Sequence, residues 1–565
     1  MLHDSSTLAV APHPPIRVRA NTNSAAWDVR APSALATPNV LLVFPRFNPN
    51  SFWNLQVVCE MSGARCPAPP LGLITVAALL PPHWNIRLVN RNAQELTERD
   101  LDWADVVMTG GMLPQQDDTL ALIELCHARN KPVVIGGPDP TSSPELYCDA
   151  DFLVLGEAEG VIAEFIAAWS SGSIGGVFES PKFQVNVTQS PIPRFDLLDP
   201  KHYLYIGVQF SRGCPFNCEF CDIIELYGRV PRAKTNAQML AELDRLYKMG
   251  YRGHVDFVDD NLIGNKKALK LFLPELAAWQ KARRYPFQFS TEASMNLADD
   301  DQLLQMLRAA NFFAIFMGIE SPDPATLVSM QKKQNTRRSM AESVHKVYSA
   351  GMFVLAGFIV GFDSEKPGTG EAMIEAIDAM SIPVAMVGLL TALPNTQLTR
   401  RLEKEGRLLP FAKSMGDQCT GGLNFVPLRP RRDVLADFRT VLKGVYNPVA
   451  YFGRVRAMGK ALDRPDHPSP PTLHGTMRDL RGLAILIWTM TVKRPDLRRH
   501  FWSTAVECAR ANPGSLQYVL EMMAFYLHLG TFATFLIQDL DRQISALDAE
   551  AAAAPVAVQP IAAYA

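Results

Sequence analysis

Three cysteines, Cys214, Cys218 and Cys221, stand in a C-x3-C-x2-C spacing within the segment SRGCPFNCEFC at 211–221. Thiolate is the soft ligand that iron–sulfur clusters use, and one loop at this pitch can wrap a corner of a cubic 4Fe-4S cluster. Three ligands leave one iron open to hold a small molecule. A zinc loop would need a further ligand pair, as CxxC or HxxxH, and none is placed for it. The other cysteines, Cys59, Cys66, Cys126, Cys148, Cys419 and Cys508, lack disulfide-like spacing, which points to a reducing compartment.

The elements that must position this loop follow from periodicity. An apolar run at 205–210 leads straight into it. Further strands are expected at 254–258, 287–290, 314–317, 353–359 and 384–389, with helices between them at 236–249, 267–283 and 299–309. About six βα units predict a partial (β/α)6 barrel rather than a closed eight-fold one. Polar or glycine-rich groups follow the strands: Asp259-Asp260-Asn261, Ser290-Thr291-Glu292, Gly318-Ile319-Glu320 and Gly357-Phe358-Ile359-Val360-Gly361. Any one of them is as well explained by a turn or cap; four in order after the cysteine loop form a joint signal. Arg212 reads equally as a surface ion pair or a loop contact, and no role is assigned to it.

This pattern resembles the radical S-adenosylmethionine (SAM) enzymes. In that family the open iron chelates SAM, and an electron from the cluster cleaves it to a 5′-deoxyadenosyl radical. The resemblance implies Cys214, Cys218 and Cys221 as cluster ligands and catalytic centre. It implies Phe220, Asp259, Asp260, Glu292, Gly318, Glu320 and Ile359 as SAM contacts.

The preceding segment also alternates strands with helices, which implies a parallel sheet with ligands at its strand C-ends. Strands are expected at 40–44, 86–90, 106–109, 132–135 and 152–155, and helices at 71–80 and 117–129. Gly110-Gly111, Gly136-Gly137 and Gly156 each follow a strand, where a bare backbone admits a large flat ligand or simply makes a tight turn. Placed before a radical SAM core, the segment resembles the cobalamin-binding domain of the cobalamin-dependent enzymes of that family. Many cobalamin proteins of this fold carry D-x-H-x-x-G, whose His ligates cobalt. Here the strand end at 110–116 has no His, as is common in the radical SAM subfamily. The resemblance implies cobalamin contacts at Met112, Leu113, Gly136, Gly137, Gly156 and Glu157.

The β pattern stops after 393–396. Helical spacing follows at 398–405 and 433–456, broken near Asn447-Pro448. The last part is apolar and helical. A run at 482–490 precedes Lys493, Arg494, Arg498 and Arg499. A second, at 515–537, reaches bilayer-spanning length, but Gln517, Glu521, His528 and Gly530 interrupt it and favour a buried helix. The alternative is a helix pair lying on a membrane surface.

The 565 residues fit roughly three to four domains. The expected division is a disordered tail at 1–38, a doubly wound α/β cobalamin-binding-like domain at 39–175 and a linker at 176–193. The radical SAM barrel follows at 194–397, then a C-terminal extension at 398–475, a helical region at 476–546 and a second disordered tail at 547–565. A net charge of −2 carries no signal for nucleic acid. From about 40 to 461 the chain resembles the cobalamin–radical SAM subgroup that includes the hopanoid C-2 methylases. That implies a C-methyltransferase acting on an unactivated carbon of a lipid-like or polycyclic substrate. It also implies an electron donor such as flavodoxin or ferredoxin, and a cytoplasmic protein with peripheral contact at the inner face of the membrane. Oxidative cyclisation with the same cofactors is the alternative, and a cobalamin-binding sensor without catalysis a more distant one.

Overall fold

The structure is a computed structural model that describes residues 37–410, 419–420, 422–464 and 473–553. The expected N-terminal tail lies almost wholly outside the described residues. At the other end, the expected tail from 547 is corrected in part: the helix Leu516–Ala553 continues through its first residues. Residues 554–565 lie outside the description.

Short apolar runs, buried on both faces except at the half-exposed edge strand β2, make the first sheet: β1 (Asn39–Phe44), β2 (Asn85–Asn90), β3 (Val106–Gly110), β4 (Val133–Gly136) and β5 (Phe152–Leu155). A sixth strand, β6 (Gly176–Glu179), pairs with β5 inside the segment expected to be linker. Its pattern is too short and too glycine-rich to announce a strand; the edge of β5 supplies the pairing. All pairs are parallel, in the order β2-β1-β3-β4-β5-β6. The order reverses at β1 and β3, which opens a crevice at the strand C-ends.

The second sheet begins with β7 (Ile206–Val208). A small antiparallel ribbon follows, β8 (Ser211–Arg212) with β9 (Arg232–Ala233). Then come β10 (Gly253–Phe257), β11 (Phe287–Glu292), β12 (Phe312–Glu320), β13 (Phe353–Val360) and β14 (Ala385–Leu389). β7 and β10 to β14 lie side by side in chain order, all parallel, with helices such as Asn236–Lys248 and Lys266–Ala282 returning the chain. This is the expected open (β/α)6 arrangement.

The open side of that barrel is closed by elements from both ends of the chain. Phe52, Met61, Cys66 and Ile74 are buried in the same core as the barrel strands, together with Leu486, Met522 and Phe532 of the last helices. Phe52 meets Phe532 edge-on at 6.2 Å, Trp53 meets Phe316 at 5.5 Å, and His528 Nε2 lies 3.1 Å from the Phe52 carbonyl. Each such buried side chain contributes about 1.5–3 kcal/mol. After the loop that follows Gln397–Lys404, the described C-terminal residues from Arg431 on are mainly helical. The expected break falls between Arg431–Val445 and Pro448–Ala461, where Asn447 accepts from the Val449 N–H at 2.9 Å and Pro448 opens the second helix.

Candidate active site

The cysteine loop leaves the barrel at β7 and is fixed on four sides. Gly213 has φ 96°, and a Cβ there would meet the Gly228 carbonyl at 2.9 Å, so only glycine fits this turn. The Cys214 N–H donates to that same carbonyl at 3.2 Å. Asp259, buried beyond β10, accepts from Phe210 N at 2.9 Å, Ser211 N at 2.5 Å and Ser211 Oγ at 2.6 Å. Asp260 accepts from Gly213 N at 2.8 Å. Farther along, the Glu219 N–H donates to Met330, and Arg401 pairs with Glu219 at 3.0 Å.

Around the sulfurs, Asn261 Nδ2 approaches Cys214 Sγ at 3.7 Å and Gln334 Nε2 approaches Cys218 Sγ at 3.9 Å. A buried ion pair, Lys332 with Glu320, lies beneath, with the Lys332 ammonium 5.8 Å from the Phe220 ring centroid. A Cβ on Gly318 would meet Glu320 Oε1 at 2.5 Å, so the glycine gives that pair its room. Ile359 is half-buried on β13. Burial raises all three thiols above their ordinary range, so a metal must displace their protons to bind. Among the described residues no three His, Cys, Asp or Glu side chains gather around a single-ion position. The loop's donor set is three thiols alone, which fits a cluster, where each thiolate takes its own iron.

One cavity of about 2380 Å³ joins the two sheets. It runs from the C-ends of the first sheet through the barrel interior. Met112, Leu113, Gly136, Gly137, Gly156 and Glu157 line it at one end. Met112 is 47% exposed into it. A Cβ on Gly136 would lie 2.6 Å from the Val154 carbonyl, and Gly137 and Gly156 hold φ 101° and 79°. The result is a backbone edge without side chains, which fits a broad planar ligand. Asp260 and Glu292 line the middle. Burial, with the Asp256, Asp260 and Asp259 charges added, pushes the Glu292 carboxyl up to about 8; burial raises Asp260 to about 6 and Asp259 to about 7. Glu292 opens onto the cavity rather than onto bulk water, so exposure and a raised value coexist there. Cys214, Cys218, Cys221, Phe220, Asp259, Gly318, Glu320 and Ile359 stand behind this wall, outside the lining.

Arg212 has a role that the sequence left unassigned. It pairs with Glu157 at 3.0 Å and Glu159 at 2.7 Å, and Arg232 pairs with Glu157 at 2.7 Å. Burial works to raise the Glu159 carboxyl, but the hydrogen bonds and charge of Arg212 outweigh it and hold it at about 2. Glu157, implied above as a cobalamin contact, thus has its carboxylate engaged by two arginines of the β8–β9 ribbon. The clamp ties the first sheet's β5 end to the cysteine loop, two residues before Cys214. A basic residue at 212 and two acids near 157 are far apart in sequence, and no local pattern pairs them.

A radical SAM superfamily profile matches residues 208–377, and a domain of unknown function, DUF4070, matches 396–542. The chain is 42% identical over 506 residues to an uncharacterized methyltransferase, sll1242, of Synechocystis sp., covering 89% of this chain and 94% of that one. It is 35% identical over 518 residues to the hopanoid C-2 methylase of Rhodopseudomonas palustris, covering 89% and 95%. Among solved structures it resembles the cobalamin-dependent S-adenosylmethionine radical enzyme OxsB with aqua-cobalamin bound, at TM-score 0.58 and 15% identity over 90% of this chain and 81% of that one. It also resembles the radical S-adenosylmethionine methyltransferase TsrM from Kitasatospora setae, with cobalamin and a 4Fe-4S cluster bound, at TM-score 0.58 and 15% identity over 79% and 99%. The loop of three thiols and these full-length likenesses lead to one conclusion: the chain is a radical SAM enzyme and belongs to the methyltransferase family that includes the hopanoid C-2 methylase.

Proposed function

We propose that this radical SAM methyltransferase methylates an unactivated carbon of an apolar polycyclic substrate, a hopanoid or a related terpenoid. The observation that carries the reading is one cavity shared by the side-chain-free edge of the first sheet and the barrel that holds the cysteine loop. Cys214, Cys218 and Cys221 hold a 4Fe-4S cluster, and the edge at Gly110, Gly136, Gly137 and Gly156, with Met112 and Leu113, holds cobalamin. When bound, the cluster with SAM supplies the radical and cobalamin the methyl group. The protein's own residues orient and exclude water. Asp260 and Glu292 offer acceptors to SAM at the C-ends of β10 and β11, with Phe220 and Ile359 as apolar backing behind them. Asp259, Gly318 and Glu320 support this site from behind. The cavity walls, Trp53, Phe313, Phe316, Phe353 and Leu355 among them, are apolar and suit a polycycle. Residues 39–175 serve cobalamin and 194–397 the cluster and SAM, while Trp53, the barrel strands and the helices after 398 together wall the substrate.

Two further contacts belong to this reading. An acidic electron donor such as flavodoxin or ferredoxin suits a shallow basin on the outer side of the cysteine loop, where Arg229, Lys333 and Arg337 are exposed beside Pro215 and Phe216. A membrane surface suits the last helices. Trp488 and Val492 are exposed beside Lys493, and Thr491 accepts hydrogen bonds from Arg498 Nε at 2.7 Å and Trp502 Nε1 at 3.2 Å, which gathers apolar and basic groups together. The stretch Pro513–Ala553 is apolar and long enough to cross a membrane, but half of its most apolar window is buried in the protein. The contact we propose is peripheral, at the cytoplasmic face.

Anaerobic reconstitution with cluster, cobalamin, SAM, a low-potential reductant and a pentacyclic terpenoid tests the core of the proposal. A product heavier by one CH2 unit is expected. A product lighter by two hydrogens would establish cyclisation or desaturation instead. Sedimentation with anionic liposomes at low salt, weakened when Lys493, Arg494, Arg498 and Arg499 become Gln, tests the membrane contact; no binding by the unaltered protein would remove it.

A further inference from the structure

At the N-terminal end of the barrel strands, far from the cysteine loop, the cavity ends in a polar cluster that the chemistry above does not use. His254 and Asp256 alternate on the inward face of β10, and Ser290 faces Asp256 from β11 in parallel register. His254 Nε2 lies 2.5 Å from Ser290 Oγ, and Ser290 Oγ donates to Asp256. Tyr205 packs on the His254 ring at 5.0 Å, and Phe313 meets its other side at 4.9 Å. Below, Gln288 Nε2 donates to the Tyr518 hydroxyl at 3.2 Å, and Tyr518 stacks on Phe313, so the last helix closes the floor.

With Asp256 ionised, as it is above its raised value of about 6, proton counting limits what this cluster can recognise. Ser290 has one hydroxyl proton and gives it to the Asp256 carboxylate. Burial holds the imidazole far below its ordinary range, at about 3, so it is neutral and carries one N–H. That N–H must sit on Nε2 and point at Ser290 Oγ, because the Ser290 proton is committed elsewhere. Nδ1 is then a bare acceptor. It has no hydrogen-bond partner among the described residues, and His254 lines the cavity. An acceptor so placed takes a donor from water or from a ligand, and a ligand that displaces the water without supplying a donor incurs a penalty. The walls above it are apolar (Phe316, Phe353 and Leu355). From His254 on β10 to Asp260, three residues past the strand end, which braces the cysteine loop, is six residues, at most roughly 20 Å at strand rise.

We infer that the floor of the barrel, His254 with Ser290, Asp256 and Tyr205, is a binding site for a hydroxyl group on one end of an otherwise apolar substrate, and that methyl transfer takes place at the end remote from it. The inference rests on the terpenoid reading above and deepens it. The hydroxyl donates to His254 Nδ1 and the rigid ring system spans the apolar shaft. A ligand anchored in this way presents the same far carbon to the radical in every turnover.

The experiment compares a pentacyclic triterpene alcohol, hydroxylated at one end, with the parent hydrocarbon, using the reconstituted full-length enzyme. The alcohol is expected to have at least a ~10-fold higher kcat/KM, because a site built around a hydrogen bond discriminates against the analogue that lacks it. The new methyl group is expected on the terminal ring farthest from the hydroxyl. His254→Phe is expected to erase the preference by bringing the alcohol's kcat/KM down to that of the hydrocarbon. Equal kcat/KM for the two compounds in the unaltered enzyme, or methylation next to the hydroxyl, overturns this inference and leaves the terpenoid reading standing. Neither compound methylated while SAM is cleaved overturns both. The comparison in the unaltered enzyme decides the matter even if His254→Phe fails to fold.

Discussion

Individual side chains divide into those that hold cofactors and those that hold the holders. Replacing Cys214, Cys218 or Cys221 by Ala is expected to abolish the visible absorbance of the reconstituted cluster and all SAM cleavage, since in the proposed assignment each thiolate is one of three protein ligands. Asp259 separates the two classes experimentally. Its carboxylate is committed to Phe210 and Ser211, so Asp259→Ala leaves buried N–H groups without a partner and is expected to cost about 2–4 kcal/mol in denaturant unfolding. A variant of normal stability but weakened SAM binding would instead make Asp259 a direct SAM contact. The cysteine triad was legible in the sequence because its chemistry lies in local spacing. The role of Asp259 was not, because a strand-end acid looks the same whether it faces a ligand or a neighbouring loop.

At the scale of elements, the side-chain-free strand ends and the inter-sheet clamp make separate predictions. Met112 stands open to the cavity, so Met112→Trp is expected to block cobalamin binding, read from the bound corrin's absorbance, without lowering the melting temperature or SAM cleavage. Arg212→Ala is expected to lower stability by about 3 kcal/mol, because it leaves Glu159 buried without its cation. The same variant should lose its cluster faster in air, read as decay of visible absorbance; an unchanged lifetime would detach the clamp from the loop. Strand positions were read from the sequence within a few residues, since buried parallel strands are continuous apolar runs. β6 was missed because its pairing comes from β5. The polar pair His254 and Asp256 on β10 was not read from the sequence, because inward and outward cannot be told apart until the sheet curls.

On the scale of the whole molecule, several acids face the shared cavity. Burial raises Asp256 to about 6 and Glu521 to about 7. Between their ordinary carboxylate values and these, the folded chain binds more protons than the unfolded one, so their contribution is fully present at low pH and is lost as pH rises through 6 to 7. Glu159, held at about 2, acts in the opposite sense and is lost only in strong acid. The melting temperature of the cofactor-free protein is therefore expected to peak near about pH 5 and decline toward pH 8. Glu521→Gln is expected to flatten that decline in scanning calorimetry, and an unchanged slope would remove Glu521 from its origin. The domain boundaries expected from composition do not coincide with packing boundaries. Removing the residues before 192 would strip Phe52, Met61, Cys66 and Ile74 from the barrel core, so such a truncation is expected to be insoluble rather than a working half-enzyme.

The helices Leu473–Trp488 and Leu516–Ala553 form part of the cavity wall, through Leu483, Leu486, Leu520 and Phe525. The thiols, the strand-end acids and the glycine edge all come from earlier in the chain. Part of the cavity wall thus comes from a stretch that supplies none of the proposed cofactor contacts. Substitutions at half-buried wall positions such as Leu483, Leu520 and Phe525 can reshape that part of the cavity without touching a proposed cofactor contact, so the scaffold has a place to accept new substrates while its radical machinery is inherited intact.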